Sequence, residues 1–276
     1  SAHQTKSAQR LEICTACVHS LAVLVPWIDI VLVLELVLAP VYQMWQCPHA
    51  VIRAASLLCL FEMMKKGMDP VAKVRLLVGI GLVGHLVQDQ HLQALLTRSH
   101  TQPIGEEEEK ELQQAGALVD MIVQGLFGYW SKYEDMACGK NKSASLGEDS
   151  EDLLTSLPVV VQFLQQLLPL LLQVFGHGSL KVSSTALPSC SRLVAILRSQ
   201  QQRAAQLQAL SSKYSSTEGA ANSIFRAEDY LYPLLSAVYT KSQFPVGFDF
   251  EAALEDEMDE ETEVKPAFMD RPPLYI

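Results

Sequence analysis

The chain has 276 residues, is 49% hydrophobic and 19% charged, and carries a formal net charge of -10. Its length suits one or two domains or an extended repeat array. The charge does not exclude a nucleic-acid partner, because residues 249–263 hold nine acidic residues, whereas residues 1–240 hold 18 basic and 21 acidic residues, a balance of -3. A basic face on the remainder of the chain is therefore compatible with this composition.

The cysteines are too scattered for a dense disulfide scaffold, which predicts reduced thiols in an intracellular protein. They are Cys14, Cys17, Cys47, Cys59, Cys138 and Cys190. The pair Cys14 and Cys17 invites a zinc site, with Cys47 and His49 as further ligands. A structural zinc site needs four ligands, and small thiols at i and i+3 in an apolar helix are commonly buried. We therefore expect core packing for this pair.

Residues 21–42 form an apolar run long enough to raise the question of a membrane span. Asp29 and Glu35 lie inside the run, and each costs roughly 2.5–3.5 kcal/mol at the centre of a bilayer. Pro26 also breaks the helix. We expect a buried helix of a repeat array and no membrane insertion, with a membrane protein as the alternative.

Short joints divide the first hundred residues into helices. Pro26 ends one helix, Pro48 suits the first turn of another, Gly67 is a good terminator, and Asp69 before Pro70 is a cap. The predicted helices span residues 8–25, 27–39, 48–67 and 70–96. Apolar residues at i, i+3 and i+4 with such joints are typical of a helical repeat array.

The second half continues this pattern after a loop at residues 97–105. The acidic residues at 106–111 form a first turn that favours the helix dipole. Residues 138–152 are polar and rich in Gly and Ser, which predicts a flexible insertion. Further helices are predicted at 112–133, 153–175, 180–199, 200–213 and 224–240.

These features predict an all-α fold, a HEAT-repeat α-solenoid of antiparallel helical hairpins in a superhelix. Residues 1–243 would form the HEAT-like repeats. Residues 244–276 hold an acidic segment and a Pro-rich end, which we expect to be loop or disordered. No segment alternates with period two, so no sheet is expected.

No motif in the chain indicates catalysis or a cofactor. The candidate nucleophiles in Ser183-Ser184-Thr185 and Ser189-Cys190-Ser191 lack a G-x-S-x-G context, and Gly176-His177-Gly178 ends a helix instead of opening a phosphate loop. Two basic clusters offer a different chemistry, that of phosphate binding. They comprise Lys65, Lys66, Lys73 and Arg75 in one place and Arg192, Arg198 and Arg203 in another. Compensation of helix dipoles by these cations remains the alternative.

Two short motifs carry a resemblance to a known family. They are WIDI at residues 27–30 and KGMDPV at residues 66–71, the latter followed by Lys73. Together they resemble the corresponding stretch of the exportin-T family, the tRNA exportins of the importin-β (karyopherin) superfamily. Residues 168–192 resemble a later hairpin of that family. Phe248-Asp249-Phe250 and the acids after it are similar to its acidic segment.

The resemblance implies an internal fragment of a HEAT-repeat receptor that binds tRNA together with GTP-bound Ran. Such a receptor contacts nuclear pore proteins and shuttles between nucleus and cytoplasm. It has no catalysis, cofactor or small-molecule substrate of its own, and family members are far longer. Another HEAT-repeat karyopherin, or a scaffold that binds protein cargo, remains the alternative.

Site residues follow from the resemblance together with charge, since a solenoid wraps tRNA through phosphate contacts. The residues expected to bind tRNA phosphates are Lys65, Lys66, Lys73, Arg198 and Arg203. Those expected to face the basic surface of Ran are Asp249, Glu251, Glu255, Asp256, Glu257, Asp259, Glu260 and Glu261. An acid run of this kind is otherwise a solvated tail.

Overall fold

The structure is a computed structural model that describes residues 2–98, 104–137, 148–211 and 227–242, with side chains over 9–98, 104–135, 154–202 and 228–242. Within these ranges the fold is all-α, as predicted, and holds no strand. The α-helices are α1 (Ala2–Leu24), α2 (Ile30–Leu32), α3 (Leu38–Trp45), α4 (Ala50–Lys65), α5 (Pro70–Ile80), α6 (Leu82–Gln88), α7 (Gln90–Arg98), α8 (Glu106–Ala137), α9 (Glu148–Gly176), α10 (Leu180–Thr185), α11 (Leu187–Ser211) and α12 (Ala227–Ser242).

The first joint lies where Pro26 predicted it. A 3₁₀ turn, Val25–Trp27, follows α1, and Asp29 caps α2 by accepting from the Val31 N–H at 2.8 Å. A π-helical stretch, Val33–Val37, then connects α2 to α3. The second helical segment therefore extends to Trp45 instead of residue 39, and an unbroken membrane-spanning helix over residues 21–42 does not form.

The joint between α4 and α5 also follows its local signals. Asp69 accepts from the Val71 N–H at 2.9 Å, and Pro70 occupies the first helical position, where no N–H is needed. The prediction of one continuous helix over residues 70–96 is wrong, because Gly81 adopts a left-handed φ of 65° and interrupts it. This residue separates α5 from α6 with a bend of 58°.

Helix packing within the unit Ser1–Val238 includes a series of neighbouring pairs. Helix α1 packs against α4, α4 against α8, and α8 against α10 and α11. Helices α5 and α6 pack against α9. The helix α8 is central because it also contacts α5, α7 and α9, and its Phe127 and Tyr129 are fully buried.

Gly116 explains how closely α9 and α10 approach α8. A Cβ at this position would clash with the Thr185 hydroxyl of α10 and lie 2.8 Å from Val174 Cγ1 of α9. Only hydrogen fits between the three helices at that point, so glycine is required by the packing.

Several predicted features fall partly or wholly outside the described residues. Helix α9 begins at Glu148, inside the predicted 138–152 insertion, and residues 138–147 are not described. A second unit comprises Tyr239–Ile276, of which Tyr239–Ser242 at the end of α12 are described. The acidic segment and Pro-rich end at 244–276 therefore lie outside the described residues.

Two helices of the described part are long and apolar enough to cross a membrane, and only the first overlaps the run at 21–42, over residues 21–27. They are Gln9–Trp27 and Leu154–Gly176, and α5 with α6 would add a third if the bent pair counted as one span. The apolar residues of α9 include Val160, Leu164 and Leu167, which are fully buried in the core. Packing within the protein therefore occupies at least one face of this helix.

Candidate functional site

The WIDI and KGMDPV motifs lie side by side in the structure, although 38 residues separate the groups that join them. The Lys66 Nζ donates to the Ile28 carbonyl at 2.5 Å and to the Pro26 carbonyl at 3.2 Å. These carbonyls belong to the turn between α1 and α2, while Lys66 follows the last residue of α4. The lysine therefore ties one helical joint to the next.

The two joints line an open groove of about 850 Å³, which we call the joint groove. Its lining residues are Pro26, Trp27, Ile28, Asp29, Ile30, Glu62, Lys65, Lys66, Gly67 and Met68. Trp27 is 86% exposed. Trp27 and Lys65 are 38 residues apart in the sequence, so only folding brings both of them to the joint groove.

The two lysines of the joint groove differ in their availability. The Lys65 side chain is 58% exposed; its Nζ lies 3.5 Å from Glu62 Oε1 and 5.8 Å from the centre of the Phe61 ring. Lys66 already has two carbonyl acceptors, which leaves one N–H of its ammonium. Lys65 is therefore better placed than Lys66 to bind a phosphate, whereas Lys66 stabilises the turn between α1 and α2.

Lys73 lies apart from the joint groove. Its aliphatic stem packs against α8, since a Cβ on Gly125 would lie 3.0 Å from Lys73 Cδ. Burial lowers the pKa of this lysine below its usual value. A half-buried ammonium with its stem on a neighbouring helix has less freedom to reach a phosphate than Lys65.

The second predicted basic cluster is only partly available. The Arg192 guanidinium donates to the Gln124 carbonyl at 3.3 Å and to Ser131 Oγ at 3.4 Å, both on α8. Arg198 is exposed on α11, and the Arg203 side chain lies outside the described residues. Neither Arg198 nor Lys73 lines the joint groove, so among the predicted phosphate ligands with described side chains only Lys65 and Lys66 lie in it.

The residues predicted to face Ran all lie outside the described part of the chain. They are Asp249, Glu251, Glu255, Asp256, Glu257, Asp259, Glu260 and Glu261. Their role remains a prediction from the resemblance and from their charge.

The acids at the start of α8 do more than favour the helix dipole. Glu111 is almost fully buried, and its carboxylate receives two N–H groups of Arg53 on α4, each at 2.7 Å. Glu108 pairs with Arg98 of α7 at 3.0 Å. Glu109 accepts from Ser179 Oγ, the cap of α10, at 2.7 Å. The run therefore connects α8 to three other elements of the fold.

The prediction that Cys14 and Cys17 pack in the core is wrong, because both side chains are exposed on α1. Apolar residues occur on more than one face of α1, its buried residues among the described side chains are Val18 and Ala22, and the helix packs against α4. Cys59 and Cys190 are buried, and burial raises the pKa of their thiols to about 11 and about 12.

Comparison with known proteins adds no family assignment. No protein-family model matches the chain, and no curated protein matches it significantly. In the described part of the chain, no group of three or more His, Cys, Asp or Glu side chains is placed to hold a metal ion.

Proposed function

We propose that the chain is a segment of a HEAT-repeat nuclear transport receptor that binds tRNA together with GTP-bound Ran. The observation that carries the proposal is the contact of Lys66 with the Pro26 and Ile28 carbonyls. It joins the two motifs of the resemblance into one local structure, so their joint occurrence in the sequence has a physical reason.

The order of helix contacts supports the HEAT-like interpretation. Successive hairpins of such an array place their first helices in one row and their second helices in another. The contacts of α1 with α4, and of α4 with α8, fit the first row, and those of α5 and α6 with α9 fit the second. The helix α7 is then an addition between the second and third hairpins.

The proposed tRNA contact is centred on Lys65 in the joint groove. A lysine at a hairpin joint binds a phosphate without reading sequence, which suits recognition of tRNA by shape. Lys66, Lys73, Arg198 and Arg203 remain part of the proposal with smaller roles. Lys66 orders the groove, while Glu62 and Asp29 at its edge limit the local positive charge.

The acidic residues at 249–263 are the proposed contact for the basic surface of Ran, where opposite charges accelerate association. The same proposal includes contact with nuclear pore proteins and shuttling between nucleus and cytoplasm. It includes no enzymatic activity, no cofactor, no small-molecule substrate and no insertion into a membrane. Binding of a protein cargo by another type of karyopherin is the second candidate, since a helical repeat array also offers such a surface.

The test measures binding of fluorescently labelled tRNA to the 276-residue chain by anisotropy, alone and with Ran loaded with a non-hydrolysable GTP analogue or with GDP. We expect tRNA binding that the GTP form of Ran strengthens and the GDP form does not. Binding that is indifferent to tRNA, or to the nucleotide on Ran, contradicts the proposal. Equal binding of a protein cargo without tRNA favours the second candidate.

A matched pair of variants locates the contact. Lys65→Glu should weaken tRNA binding and lower the slope of log affinity against log salt by about 1, as expected for a lost phosphate contact. Lys110→Glu is the control, because the Lys110 side chain on α8 is 62% exposed, close to the 58% of Lys65. Equal effects of the two substitutions would indicate general charge attraction instead of a site at the joint groove.

A further inference from the structure

A second cavity, of about 550 Å³, lies where the joint between α3 and α4 meets the joint between α6 and α7. The rings of Tyr42, Trp45 and His85 form one side, with the Tyr42 and His85 ring centres 4.6 Å apart. Arg53 and His91 also line it. The cavity therefore gives solvent a path to the polar groups that hold α4, α7 and α8 together.

Arg53 is the centre of those polar groups. Its Nε and Nη2 donate to the two carboxylate oxygens of Glu111, both at 2.7 Å, and its Nη1 donates to the Cys47 carbonyl at 2.7 Å. Both charged side chains are at least nine-tenths buried. The geometry is the bidentate pairing in which arginine binds carboxylates most strongly.

His91 contacts this ion pair from α7. Its Nε2 lies 2.6 Å from Arg53 Nη2 and 3.5 Å from Glu111 Oε2. A guanidinium has only donors and stays protonated, so the histidine nitrogen at 2.6 Å must be the acceptor. The ring is therefore neutral in this arrangement and carries its proton on Nδ1.

We propose that His91 is a proton-sensitive latch, which fastens the start of α7 to the Arg53–Glu111 ion pair when the imidazole is neutral and releases Arg53 when it is protonated. A proton on Nε2 would set an N–H against the N–H of Arg53. The His91 side chain is 40% exposed, so protons from solvent reach it.

The charges around His91 determine where a protonated His91 ring can go once its contact with Arg53 is lost. Arg53 and the N-terminal end of α7 both oppose a positive ring. Glu111 attracts it, and each oxygen of its carboxylate keeps a lone pair beside the N–H that it accepts from Arg53, so an imidazolium would share this carboxylate with Arg53. The other titratable groups around the cluster are Asp89, which caps α7, Cys47 at the joint before α4, and His85 on α6.

The first experiment determines the His91 tautomer. Long-range ¹H–¹⁵N NMR spectra of the chain labelled at histidine should show the Nδ1–H form of His91 near pH 8, with the assignment made by its loss in His91→Gln. The exposed His19 serves as the reference for a ring without this constraint. An Nε2–H form of His91 near pH 8 overturns the proposal, whatever the variants do.

The second experiment tests the release, over the range of about pH 8 to about pH 5.5 in which histidines commonly change charge. The Arg53 Nε–H signal should shift in step with protonation of His91. In His91→Gln the amide oxygen still accepts from Arg53 but does not titrate, so the shift should be lost. His85→Gln should retain it. An Arg53 signal that shifts equally in His91→Gln overturns the latch.

Discussion

The interface between α4 and α8 is built differently from the edge formed by α1, the turn after it and the π-helical stretch Val33–Val37. At the interface Arg53 of α4 pairs with Glu111 of α8, and both helices carry fully buried apolar side chains, such as Leu57 and Phe127. At the edge, Trp27 and Leu36 are largely exposed, and Lys66 holds the turn through carbonyl groups. The interface therefore depends on side chains that must fit one another, whereas the edge depends on a backbone conformation that tolerates many side chains.

The largest expected effect comes from breaking the buried ion pair at the interface. Glu111→Ala leaves the Arg53 charge buried without its carboxylate, so the free energy of unfolding should fall by about 3–5 kcal/mol. Urea denaturation measures the change. The control is Glu107→Ala, an exposed position in the same turn, which should change stability by at most about 0.5 kcal/mol.

A double variant separates the charge from the packing. Arg53→Met with Glu111→Leu removes both charges and should recover most of the stability lost in Glu111→Ala, because apolar side chains of similar volume often replace a buried ion pair without loss. A double variant as unstable as Glu111→Ala would contradict this account of the interface.

The next prediction compares the same substitution in the two regions. Leu60→Ala in the buried part of α4 should cost about 2–5 kcal/mol, since it removes a buried side chain and leaves a cavity. Leu36→Ala at the edge should change stability by at most about 0.5 kcal/mol, because this side chain is 68% exposed. Thermal or urea unfolding distinguishes them, and equal losses would show that the edge is also a packed interior.

The reactivity of the cysteine thiols provides a further comparison between buried and exposed parts of the molecule. Cys59 on α4 is buried and its thiol pKa is raised to about 11, whereas Cys14 and Cys17 are exposed on α1. At about pH 8 the exposed pair should react with iodoacetamide at least about 100-fold faster than Cys59, because the thiolate is the reacting form. Peptide mass spectrometry after timed labelling measures the rates. Comparable rates would place Cys59 within reach of solvent.

The smallest expected effect concerns the cap between α4 and α5. The pKa of Asp69 is lowered: slight burial opposes the shift, and hydrogen bonds from the Val71 N–H and from Lys132 outweigh it. Asp69→Ala should cost about 1 kcal/mol at neutral pH. A carboxyl with a lowered pKa in the folded state stabilises the protein above its unfolded pKa, and this contribution disappears as pH falls through the lowered value.

The pH dependence provides the control for this prediction. The stability difference between the wild-type chain and Asp69→Ala should therefore diminish when denaturation is repeated at acid pH, below the usual range of aspartate. A difference that stays constant into that range would mean that the charge of Asp69 contributes nothing.

Those features of the fold that depend on residues adjacent in the sequence were predictable from the sequence alone. Pro26, Asp69 and Pro70 place two joints where the structure has them, because each acts on the backbone of its own turn. The bend at Gly81 was not predicted, because the apolar pattern of the helix continues through this residue. The exposure of Cys14 was also missed, because α1 is apolar on several faces and only the position of α4 determines which face is buried.

The candidate site was predictable only in part for a similar reason. Lys65 and Lys66 were evident as a basic pair, but the carbonyl partners of Lys66 lie 38 and 40 residues away. Glu111 and Arg53 are 58 residues apart. No local pattern distinguishes a lysine that supports a turn from one that binds phosphate, or a buried glutamate from its exposed neighbours. Tertiary contacts assign these roles.

The bend at Gly81 determines how far the apolar chain around it can reach. Helix α5 has 11 residues and α6 has 7, which at the rise of an α-helix gives about 16 Å and about 11 Å. Joined in a straight line they would approach the hydrocarbon thickness of a bilayer, about 30 Å. The left-handed glycine divides this stretch into two short helices, which both pack against α9.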